Sequence, residues 1–169
     1  MDTIAVVARA QEITGDPMIG VTRLEPREEG QEAIVYRGSR GWYEIHDVDG
    51  MDMAILFRLG PDWETADRAT EIGIYYTRPL QKDIDAAEFL KQIVDGLPPL
   101  TFDCAFIPPT EAGTAWIRFK ADGIPVLIKM KSTGEDSISE FLVGDLIARM
   151  VLDTEGEMKS FGQVNESIL

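Results

Sequence analysis

The sequence predicts an α+β domain with a mainly antiparallel sheet, and three observations carry that prediction. Residues 41–58, GWYEIHDVDGMDMAILFR, double back at Asp49-Gly50. Residues 113–131 double back at Asp122-Gly123. Two amphipathic runs of helical period follow the sheet-forming segments. Asp-Gly between apolar runs is a strong short-range hairpin signal, because both central residues of a type I′ turn need positive φ. The expected domain is therefore a sheet built from two Asp-Gly hairpins plus flanking strands, with two amphipathic helices packed on it.

The start of the chain, Thr3–Ala10 (TIAVVARA), is too short for periodicity to decide, and Val6 and Val7 favour a strand. Met18–Leu24 is a candidate short strand, and Pro26 to Gly30 a loop. Glu32–Arg37 reads as a strand, with Gly38 to Gly41 as the turn into the first hairpin.

A two-residue turn at Asp49-Gly50 sets a register. Val48 then opposes Met51, His46 opposes Met53, Glu44 opposes Ile55, and Trp42 opposes Phe57. The other face carries Tyr43, Ile45, Asp47, Asp52, Ala54, Leu56 and Arg58. Neither face is cleanly polar, so cover on both sides is expected. Asp47 would face Asp52, which asks for a well-solvated tip or a cation. The EF-hand pattern fails here: its fourth place holds Gly50, its fifth Met51 and its twelfth Arg58. A wet acidic turn is the plainer reading of Asp47, Asp49 and Asp52, and no metal is expected.

Gly60-Pro61-Asp62 breaks the ribbon, and 61–71 is an acidic stretch with room for a helical turn. Glu71–Arg78 reads as the next strand. A helix is expected at 85–97, with Asp85 as cap, Glu88 at N3, and Ile84 against Phe89 as a hydrophobic staple. Phe89, Leu90, Ile93, Val94 and Leu97 form its apolar stripe. Thr101–Ile107 follows as a strand with Phe102, Cys104 and Phe106 on one side.

The second hairpin places Phe119 opposite Val126, Ile117 opposite Ile128 and Ala115 opposite Met130. That face is apolar. The other carries Trp116, Arg118, Lys120, Pro125, Leu127, Lys129 and Lys131. A closing helix is expected at about 138–152, where Ser137 and Glu140 match a capping box. Ile138, Leu142 and Leu146 line one strip, widened by Phe141, Ile147, Met150 and Val151. The expected organisation is a single domain over 1–152 with a polar tail over 153–169, loosely docked.

Thirty Asp plus Glu stand against 16 Lys plus Arg, a formal charge of −14 over 169 residues. Such a surface repels nucleic acid and anionic membrane, and it favours basic partners or serves merely as a solvated, solubilising surface. One cysteine makes no internal disulfide, the N-terminus lacks a basic leader, and no apolar run is long enough to span a bilayer. A cytoplasmic location follows as the expectation.

Catalytic patterns are absent from the sequence. One histidine and one cysteine make no zinc site. His46 reads as partly buried and hydrogen-bonded, and Cys104 as core. No glycine-rich phosphate loop is present. The expected function is an acidic protein-binding module, inhibitor- or immunity-like, that masks a basic partner without any cofactor. Its candidate contacts are Asp62, Trp63, Glu64 and Asp67 in the acidic loop, and Asp47, Asp49 and Asp52 at the hairpin tip. Trp116 with Arg118, Lys120, Lys129 and Lys131 makes a third patch, suited to an acidic peptide or phosphate, or to protecting an edge ribbon from strangers. Two alternatives stand beside this: a subunit of a larger homo- or hetero-oligomer, and a small-molecule-binding protein or enzyme with a pocket near His46.

Overall fold

A computed structural model describes residues 3–20, 23–26, 32–48, 53–60, 69–109 and 113–169. The chain is α+β, with antiparallel strands and, among the described residues, two helices, and it divides into two compact units, Met1–Tyr76 and Thr77–Leu169.

In the first unit a helix, α1 (Thr3–Thr14), precedes β1 (Arg23–Pro26), β2 (Glu32–Arg37), β3 (Trp42–Val48), β4 (Met53–Leu59) and β5 (Thr70–Tyr76). Each strand pairs antiparallel with the next in sequence. The strand expected at 3–10 is a helix instead. Val6, Val7 and Ala10 lie on one helical face and are all buried, so packing overrides the β preference of two valines. Thr14 closes the helix by donating its hydroxyl to the Ala10 carbonyl at 2.9 Å. The buried sheet face against this core carries Ile34, Tyr36, Tyr43, Ile45, Ala54, Leu56 and Tyr75. Tyr75 donates its hydroxyl to the Val6 carbonyl at 3.2 Å, fixing helix to sheet.

The β3–β4 ribbon forms as expected, but its register is two residues longer. Val48 pairs with Met53, His46 with Ile55, Glu44 with Phe57 and Trp42 with Leu59. Asp47 therefore pairs with Ala54 and not with Asp52. A slip of two keeps every side chain on its expected face, which a slip of one would not. The turn itself, 49–52, lies outside the described residues.

In the second unit α2 (Gln81–Ile93) is followed by β6 (Leu100–Ile107), β7 (Ala115–Ala121), β8 (Ile124–Ser132), β9 (Asp136–Val143), β10 (Leu146–Asp153) and β11 (Met158–Val164). These strands also pair in sequence order. α2 begins four residues before its expected start. Asp83, not Glu88, provides the reach-back bond, accepting the Leu80 N–H at 2.8 Å. Asp85 lies in the second turn and accepts from Gln81. Ala87 and Leu90 bury, and Phe89 meets the rings of Phe141 at 5.8 Å and Phe161 at 6.1 Å.

The β7–β8 hairpin has the expected register throughout, and its turn has Asp122 at φ 49° and Gly123 at φ 81°. Pro125 lies just beyond the first β8–β9 pair, Val126 with Val143, so its missing N–H breaks no bond to β9. Two expectations fail in this unit. Residues 138–152 are not a helix but parts of two strands, β9 and β10, turning at Gly144-Asp145. The segment 153–169 is not loose: it contributes β11, paired with β10.

Candidate functional site

The register of the second sheet lines up Phe106, Trp116, Lys129, Glu140, Arg149 and Gly162 in one row across six strands. The expected patch of Trp116, Arg118, Lys120, Lys129 and Lys131 lies on this face. Its members do not form a free basic stripe. Arg118 Nε is 2.5 Å from Asp103 Oδ2 while its guanidinium lies over the Trp116 ring at 5.9 Å. Trp116 itself leans on Phe106, with ring centroids 5.8 Å apart, and is half-buried. Lys129 Nζ donates to the Leu169 carbonyl oxygen. Lys120 and Lys131 are exposed.

Glu140 is the centre of this row, 0% exposed on β9. It takes Arg149 Nη2 at 2.7 Å, the Ser167 hydroxyl at 2.6 Å and the Ile168 N–H at 3.1 Å. Burial pushes its carboxyl up, but the bonds from Ser167, Ile168 and Arg149 outweigh this and hold it below its usual range. Arg149 also donates to the Glu166 carbonyl at 2.9 Å. The residues after β11 therefore fold back over β10, β9 and β8, clasped in order by Arg149, Glu140 and Lys129. The sequence concealed this clasp because the helix reading gave Glu140 to a capping box with Ser137.

The first unit holds two further polar groups. Asp16, also 0% exposed, follows α1 and accepts from the Ser39 N–H at 2.7 Å, the Ser39 hydroxyl, the Arg40 N–H at 3.0 Å and the Tyr43 hydroxyl at 2.7 Å. Burial raises this carboxyl, yet the Ser39, Tyr43 and Arg40 donors hold it at about 2. Gly38 is required beside it: a Cβ there would lie 2.5 Å from Asp16 Oδ2 and 2.9 Å from the Tyr43 ring. Such a saturated carboxylate locks the β2–β3 turn to the end of α1 and has no lone pair left over for chemistry.

Glu44 and His46 form the second group. Alternate residues of a strand share a face, and Glu44 Oε1 is 2.6 Å from His46 Nε2. Glu44 is buried, while the His46 ring is half-exposed and tilted against Phe57 at 4.8 Å. The spacing of these two residues was a signal available in the sequence. Cys104 is a buried thiol on β6, in the second unit.

Asp62, Trp63, Glu64, Asp67, Asp49 and Asp52 lie outside the described residues, and Asp47 is described only as a β3 residue paired with Ala54. Among the described residues no group of three or more His, Cys, Asp or Glu side chains is placed to hold a metal ion, and no helix is long and apolar enough to cross a membrane. No family model, no curated protein and no solved structure matches this chain.

Proposed function

We propose that the chain is an acidic protein-binding module of inhibitor or immunity type, which covers a basic partner by charge complementarity. The observation that carries this reading is where the positive charges go. Arg9 is on Glu12, Arg118 on Asp103, Arg149 on Glu140 and Lys159 on Asp136, each at 2.5 to 2.7 Å. These pairs use four of the 16 Lys plus Arg and as many carboxylates, so the excess of acids over bases stays whole to face a partner. That excess is shared: Met1–Tyr76 has 7 Lys plus Arg against 15 Asp plus Glu, and Thr77–Leu169 has 9 against 15. A field of one sign steers an oppositely charged protein and speeds encounter, and salt weakens it.

The test is affinity capture on the immobilised full chain at low salt, followed by a salt gradient. A partner with a basic surface is expected, released as the screening length shortens toward about 8 Å near physiological ionic strength. Retention indifferent to salt overturns the reading. So does a homomeric assembly in light scattering with no other partner, which favours a structural subunit.

The Glu44–His46 pair favours a second reading, a small-molecule site in which a carboxylate orients a half-exposed imidazole beside an aromatic ring. Proton resonances of the His46 ring, followed during titration with anionic and neutral metabolites, decide it. Resonances that stay fixed across the panel count against it.

A further inference from the structure

We propose that the open edge of β11 is where the partner docks, by adding an extended segment in which Lys or Arg alternates with apolar residues. This rests on the reading above that the partner is basic, and it names the surface. β11 is the last strand of its unit and pairs, among the described residues, with β10 alone. An edge strand presents unpaired N–H and C=O groups along its open side, which an incoming strand satisfies. Natural edges are blunted by shortness, proline, charge or a bulge. β1, the first strand of the first unit, is 4 residues long and ends in Pro26. β11 is 7 residues long and lacks proline. Its one charged residue, Lys159, is spent on Asp136 at 2.6 Å. Its one irregularity lies between the pairs Val151–Ser160 and Leu152–Met158, which leaves Lys159 unpaired and Ser160–Val164 regular.

Among the described residues of its unit, no strand other than β10 pairs with β11. Met158 and Phe161 are 54% and 42% exposed. The segment that follows turns the other way, over β10, β9 and β8, where Arg149, Glu140 and Lys129 hold it. Phe161 is steadied from one face by Phe89 of α2, so the strand is positioned before anything binds. The charge around it is negative at both ends. Glu155 and Glu157 precede the strand, Glu166 follows it, and all three are exposed. An extended segment with cationic side chains meets carboxylates at each end and apolar Met158 and Phe161 between. A second copy of this chain would bring Glu155, Glu157 and Glu166 toward each other's neighbourhood instead, so the basic segment is the better occupant.

The experiment uses the full chain and a fluorescent peptide of alternating Lys and Val, as long as β11. Two controls share its length: the same peptide with alternate backbone nitrogens methylated, and a Glu–Val peptide. Anisotropy reads binding, and amide hydrogen exchange reads the location. The expected result is binding of the Lys–Val peptide that slows exchange at alternate amides within Ser160–Val164. N-methylation, and separately the triple variant E155Q/E157Q/E166Q, each weaken it by roughly tenfold, about 1.4 kcal/mol. The Glu–Val peptide stays unbound. If the methylated peptide binds as well as its parent and β11 amides exchange unchanged, the edge is not the site while the acidic-module reading stands. If no Lys–Val binding occurs although a salt-sensitive basic partner is captured, the edge proposal alone falls. If β11 amides are already protected in a dimer before peptide is added, a second copy is the occupant and the proposal is overturned.

Discussion

Tyr36 and Asp16 lie in one cluster at the base of the β2–β3 turn, and burial treats them differently. The Tyr36 ring stacks on Tyr43 with centroids 5.1 Å apart. Among the described residues its buried hydroxyl has no hydrogen-bond partner of normal geometry, and burial raises the phenol, an effect the Thr14 hydroxyl only partly opposes. A buried unsatisfied hydroxyl costs stability, so Tyr36→Phe, which keeps the stack, is expected to leave the protein equally stable or up to about 1 kcal/mol more stable. A urea midpoint that falls on this change shows that the hydroxyl has a partner. Asp16 is the opposite case, an ionised group with every acceptor used. Its carboxyl titrates near 2 when folded, against 3.8 ordinarily. The unfolded chain therefore takes up the proton first as pH falls. The contribution is full above about pH 4 and is lost as pH drops toward 2. Urea midpoints measured across that window are expected to fall steeply for the natural chain and more gently for Asp16→Asn, whose midpoint at neutral pH is already lower.

At the level of elements, the β9–β10 hairpin shows what the sequence hid. Ala148 and Met150 share the face of Phe141, whose ring meets Phe89 of α2, while Ile138, Leu142, Ile147 and Val151 share the face of Glu140, to which the tail is bonded. Apolar residues on both faces erase the alternation that marks a strand, and what remains mimics a helical stripe. The contrary signal was Gly144-Asp145, a dipeptide suited to a two-residue turn, with Gly144 at φ 58°. β11 was masked differently. The irregularity at Lys159 sets Met158 and Phe161, three apart in sequence, opposite Leu152 and Met150 on one face, so no period of two survives. By contrast Asp122-Gly123 and the one-sided pattern around it were enough to place every pair of β7 and β8. The clasp was illegible because it depends on that missed hairpin. Glu140→Gln keeps the shape of the side chain and removes the charge that gathers Arg149, Ser167 and Ile168. It is expected to cost about 1–3 kcal/mol at neutral pH. Faster amide exchange at Ile168 should accompany it. Unchanged exchange there means that the tail is held by other contacts. The sign with pH matches that of Asp16: the folded carboxyl lies below its ordinary 4.5, so this contribution is present above that value and fades as acid is added.

On the scale of the whole chain, α+β architecture, both ribbons and the strands at 32–37, 71–76 and 101–107 were legible, because turn dipeptides and alternation act locally. The helix at 3–14 was not, since only its burial distinguishes Val6 and Val7 from strand residues. The partner of Arg118 was not legible, since Asp103 comes beside it only through the pairing of β6 with β7. One property of the two meanders reaches beyond the folded state. Within each unit every strand joins the one that emerged just before it. No pairing there waits for a distant stretch of chain, so little loop entropy is lost before the first hairpins close. During synthesis the strands up to Tyr76 have all their mutual partners before Met158 is made, and within its own unit β11 finds its partner β10 already in place.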